Sequence, residues 1–180
     1  MLSIEKKIQM DNEIKQFTDL TASILVHPKF REMHLFVQHG TIDCLEHSIS
    51  VAFHSYILAK KLNLDYKSVA RGGLLHDFFL YDWHHPRASE GLHGFTHARK
   101  ALENAELYFT LSDTEREIIL KHMWPLNLTL PRKKEAFVVI FVDKWISLKE
   151  TFRFKESEVF VYTINKIREF AYLPVGFSNT

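Results

Sequence analysis

The sequence predicts an all-α, single-domain helical bundle, and three features predict it. Glycine and proline, six and five in 180 residues, are confined to residues 28–40, 72–94 and 125–131, with Pro174 and Gly176 in the tail. The long stretches between them carry apolar residues at helical period. No alternating strand series, glycine-rich hairpin turn or internal repeat interrupts that pattern.

Helices are expected at about 3–25, 29–38, 43–63, 66–77, 96–109, 113–124, 132–152 and 156–171. The first opens on MLSIEKKIQMDNEIKQF, which mixes both charges at helical spacing and lacks the apolar core of an export signal. In the third, His47, Val51, His54 and Leu58 share the stripe that should face the core. Asp65 is the N-cap of the fourth, which runs into Leu74 and Leu75. On the fifth, His97 shares a face with Ala101, Ala105 and Tyr108, whose small residues permit close backbone approach. Ser112 followed by Glu115 is a capping box for the sixth, where His122 lies one turn after Ile118 and Ile119. Within the seventh, Ala136 to Val142 alone would pass for a buried strand. Its flanks, RKKE and DKWISLKE, extend it to helix length. Nothing suggests a linker, so residues 1–180 are read as one domain.

Composition excludes several functions. The chain has 23 basic and 22 acidic residues, a formal net charge of +1, and so no electrostatic footprint for nucleic acid or an anionic membrane. Cys44 is the only cysteine, which rules out an internal disulfide framework, a thiolate zinc site and an iron–sulfur cluster, and fits a reducing cytoplasm. The longest apolar run has seven residues, against roughly 20 for a membrane span. The 15 phenylalanines include Phe152, Phe154, Phe160, Phe170 and Phe177 near the C-terminus. They read as core, with a homodimer surface as the alternative.

The histidines are unevenly placed: His76, His84, His85, His93, His97 and His122 fall within one stretch of the chain. The dipeptide His76-Asp77 carries little by itself. The signal lies in polar residues on apolar helical faces: His47, His97, His122 and, above all, Asp143 inside AFVVIFVDKWISL. A buried, unpaired carboxylate costs several kcal/mol, so Asp143 needs a partner, either an arginine such as Arg71 or a metal ion. His47, His76, Asp77, His97, His122 and Asp143 fall on successive helices, so a bundle could bring them to one interior point. Four imidazoles and two carboxylates suit Mn, Fe, Co, Ni or Zn, and six ligands are enough for two ions.

These stretches, LEHSISVAFHSYILAKKL, VARGGLLHDFF, FTHARKALENA, ILKHMW and VVIFVDKW, resemble the HD-domain superfamily of metal-dependent phosphohydrolases, all-helical proteins named for the His-Asp pair. The resemblance covers about residues 41–148. It implies that His47, His76, Asp77 and Asp143 hold one divalent metal and that His97 and His122 hold a second, with Asp77 bridging. Many members carry a Gly-Lys shortly after the HD pair. Here Phe78, Phe79, Leu80 and Tyr81 follow, so that lysine has no counterpart. The Gly-Tyr-Pro signature of the cyclic di-GMP branch is absent as well.

Two ions about 3.5–4 Å apart suit phosphate-ester hydrolysis by a metal-activated water, with Asp77 central and no side-chain nucleophile. A small phosphorylated metabolite or nucleotide is the expected substrate. The loop DFFLYDWHHPRASEGLHG supplies candidates for the leaving-group acid, Asp82 and His93, and for substrate contacts, Arg87, His84, His85 and a stacking Trp83. Lys144 is a further phosphate candidate, although it points about 100° away from Asp143 on the helix. Two other readings use the same residues: a regulatory module that binds metal or ligand without turnover, and a di-iron oxygenase.

Overall fold

The computed structural model describes residues 4–40, 42–81 and 93–172, with backbone alone at residues 39 and 93–95. Among the described residues it consists of α1 (Ile4–Leu25), α2 (Pro28–Arg31), a 3-10 turn (Glu32–Leu35), β1 (Val37–His39), β2 (Ile42–Asp43), α3 (Cys44–Lys61), α4 (Tyr66–Leu75), α5 (His93–Tyr108), α6 (Asp113–Lys121), α7 (Lys134–Thr151) and α8 (Glu158–Ala171). The all-α expectation holds, apart from one short antiparallel pair of strands. None of these helices is long and apolar enough to cross a membrane.

Side-chain caps begin most of the helices. Asp43, Asp65 and Ser157 each accept the backbone N–H three residues on, opening α3, α4 and α8. At α6 the Ser112–Glu115 capping box is present in both directions. The helix α3 ends where Asn63 takes a left-handed conformation (φ 58°) and the Leu64 N–H bonds the Ala59 carbonyl, closing a Schellman turn.

The expected helix at 29–38 is a correction. It stops after one α-turn and one 3-10 turn, because residues 37–39 leave to pair with residues 42–43 across Gly40, whose φ is 59°. Phe30 and Met33 still bury the apolar side that made the segment look helical.

At the centre α3 packs on α4 and α7, and α4 packs on α6. Phe17 of α1 meets Phe53 and Tyr56 of α3 edge-on at 5.4 and 5.5 Å. At the other end of α3, Arg168 of α8 pairs with Asp43 and Glu46. The C-terminal aromatics divide: Phe160 and Phe170 are half-buried against the core, Phe152 and Phe154 are exposed, and Phe177 lies outside the described residues.

Two adjacent glycines set the position of α4. A Cβ on Gly73 would lie 2.9 Å from the Ala52 Cα of α3, and one on Gly72 would lie 3.0 Å from Ile118 of α6. Only glycine allows α4 this close to both neighbours, and that closeness carries His76 to the rings of His47 and His122. Gly73→Ala should therefore be destabilising. Overpacking costs about 1–3 kcal/mol, against about 1 kcal/mol gained in helix propensity. A lower denaturation midpoint is expected in urea; an unchanged or higher midpoint would show that the α3–α4 contact has slack.

Candidate metal centre

The six predicted ligands converge. His76 and His122 occupy equivalent places, as the C-cap residues of α4 and α6. Each ring donates Nδ1–H to the carbonyl three residues back, His76 to Gly73 at 2.7 Å and His122 to Ile119 at 2.8 Å. These bonds satisfy carbonyls that the helix ends would otherwise leave open, and in the neutral ring they leave Nε2 with a lone pair aimed inward. Both rings also stand at helix C-termini, where the macrodipole favours a cation.

His47, in the first turn of α3, is held differently. Its Nδ1 bonds the Glu150 carboxylate of α7 at 2.8 Å, and its Nε2 lies 3.3 Å from Asp143 Oδ1. The same Asp143 oxygen accepts the Ser147 hydroxyl at 3.3 Å and lies 3.7 Å from His76 Nε2. Arg71, the alternative partner for Asp143, is engaged elsewhere: it bonds Glu115 at 2.6 Å and the Thr110 carbonyl at 3.0 Å.

Asp77 sits between two sets of rings. Its Oδ1 is 3.4 Å from His97 Nε2 and 3.3 Å from His122 Nε2, and its Oδ2 is 3.4 Å from His76 Nε2 and 3.8 Å from His47 Nε2. Oδ2 is oriented by Gln38, whose amide donates to it at 2.6 Å while Gln38 Oε1 accepts the Cys44 thiol at 3.0 Å. The candidate ligand atoms form two buried triads, His47–His76–Asp143 and Asp77–His97–His122, each with its atoms within 4.8 Å of one another.

The donor set fits divalent cations. Among the described residues neither His76 Nε2 nor Asp77 Oδ1 has a hydrogen-bond partner, although both are buried. Leaving such atoms bare in a native core is costly unless a ligand takes them. His97 Nε2 and His122 Nε2 are 2.9 Å apart. Two nitrogens about 2.1 Å from one ion and at right angles would be about 3 Å apart, so the spacing suits convergence on a cation as well as a direct N–H···N bond.

The electrostatics agree with this. Burial pushes the Asp77 carboxyl up, but the imidazoles of His76, His122 and His97 outweigh it and hold the group well below the usual carboxylate range. Asp143 is likewise held low against burial, by His47 and His76. Both carboxylates are thus ionised at neutral pH. Burial also opposes protonation of His47, yet Glu150 and Asp143 raise its pKa well above the ordinary value, whereas burial lowers that of His122. His47 Nε2 must be free of a proton to ligate, so ligation there strengthens as pH rises.

Lys144 donates from Nζ to the His122 carbonyl at 3.2 Å, which ties it to the end of α6. Asp82, Trp83, His84, His85 and Arg87 lie outside the described residues, and His93 begins α5. Two residues that orient candidate ligands carry no motif in the sequence. Glu150 stands seven residues after Asp143, a helical repeat that could have signalled a shared face. Gln38 has no such signal.

The sequence matches the family described as HD domain over residues 44–146, more than half of the chain. No curated protein and no solved structure matches it.

Proposed function

Because the chain belongs to the HD domain family, most of whose members are metal-dependent hydrolases, we propose that it is a metal-dependent phosphohydrolase acting on a nucleotide or a small phosphorylated metabolite. The observation that carries this reading is the pair of buried triads with Asp77 between them. His47, His76 and Asp143 would hold one divalent cation and His97 and His122 a second, with Asp77 between them. Such cations supply Lewis acidity, making water acidic enough to ionise near neutral pH and offsetting charge on phosphoryl oxygens.

The protein residues do the rest. The Nδ1–H bonds of His76 and His122 hold both rings in the tautomer that ligates, and Glu150 and Gln38 orient His47 and Asp77. A leaving oxygen needs a proton, for which Asp82 and His93 are the proposed donors. Arg87, with its planar fork of donors, is the proposed phosphate contact, assisted by His84, His85 and Lys144, and Trp83 offers a stacking face for a base.

A panel of phosphomonoesters, nucleotides and cyclic nucleotides tests the reading. Phosphate or nucleoside release should stop with chelator and return with Mn, Fe, Co, Ni or Zn. Metal-loaded protein that turns over no member of the panel would favour a binding module instead.

A further inference from the structure

We infer that the outer face of α7 is the surface through which two copies of this chain form a homodimer. At 100° per residue, Phe137, Phe141, Trp145, Leu148 and Phe152 lie within an arc of about 80°. That arc faces away from the buried side of the same helix, formed by Ala136, Val139, Val142 and Ile146. A helix apolar on both sides is one that is covered on both sides. Here Phe141, Trp145, Phe152 and Phe154 are 65%, 56%, 66% and 59% exposed, and Phe137 and Leu148 are 39% and 47% exposed.

Size and shape identify the occupant. With roughly 200 Å² per aromatic side chain, the stripe and Phe154 together present about 600 Å² of apolar surface. That is at the upper end of the largest patch on a typical monomer, about 300–600 Å², and approaches the roughly 800 Å² each partner contributes to a stable interface. Beside it, Phe137 and Phe141 face Leu58, Leu62 and Leu64 across an apolar groove of about 450 Å³, large enough to take an aromatic side chain from the facing stripe. One self-complementary stripe is all that a two-fold contact requires.

Light scattering on the eluting protein at about 50 µM tests this, in the affinity range expected of a standard interface. Wild type should run at twice the chain mass. Phe141→Glu and, separately, Phe152→Lys should run at the chain mass, with helical content and metal content unchanged, because both side chains are solvent-exposed in the single chain. Wild type that is monomeric at that concentration would overturn the proposal, whether or not it pellets with anionic vesicles. Dimers that survive both substitutions would also overturn it.

Discussion

Asp77→Ala is expected to lose metal at both triads and, with it, hydrolytic activity. The side chain directs one oxygen toward His97 and His122 and the other toward His76 and His47, so truncation removes a ligand from both sides at once. Losing an outer partner of a metal ligand costs about 10–100-fold in affinity or activity, and losing a shared inner ligand should cost more than 100-fold in each. The variant is also destabilised, because the imidazoles around position 77 lose the carboxylate that balances them. Elemental analysis separates these effects. A destabilised variant that keeps wild-type metal content would show that Asp77 is only a core ion-pair partner.

His97→Ala should act on one side only. His97 belongs to the triad with Asp77 and His122, whereas His47, His76 and Asp143 form the other, so metal content should fall by about half while the remaining equivalent stays bound. Activity that depends on both cations should fall with the lost one. If His97 were merely a buried ring between Phe79 and His122, the variant would show only the stability loss of a core truncation, with unchanged stoichiometry.

Four of these residues, His47, His97, His122 and Asp143, could be found in the sequence because each is a polar group on an otherwise apolar helical face, whereas His76 and Asp77 stand out only as the dipeptide that ends an apolar helix. Asp143 illustrates the logic. Its flanking valines and isoleucines required burial, burial required a partner, and the structure places His47 and His76 beside it rather than Arg71. The helix ends were less legible. Periodicity carried α4 to residue 77 and α6 to residue 124, but the His76 and His122 rings take the Gly73 and Ile119 carbonyls and end the two helices at Leu75 and Lys121. The segment after Pro28 misled for a tertiary reason. Phe30 and Met33 fit a helix, yet the chain turns at Gly40 to pair its strands and to bring Gln38 to Asp77, contacts that no local pattern encodes. Gln38 and Glu150, which hydrogen-bond Asp77 and His47, both lie outside the span that matches the family.

The buried histidines and aspartates are proposed to be a metal site. Metal per chain, measured by elemental analysis on protein purified without chelator or a nickel column, tests it most directly. About two equivalents of Mn, Fe, Co, Ni or Zn are predicted. No metal on purification and none acquired on titration would rule out a metal site and leave the six side chains as a polar network of the core.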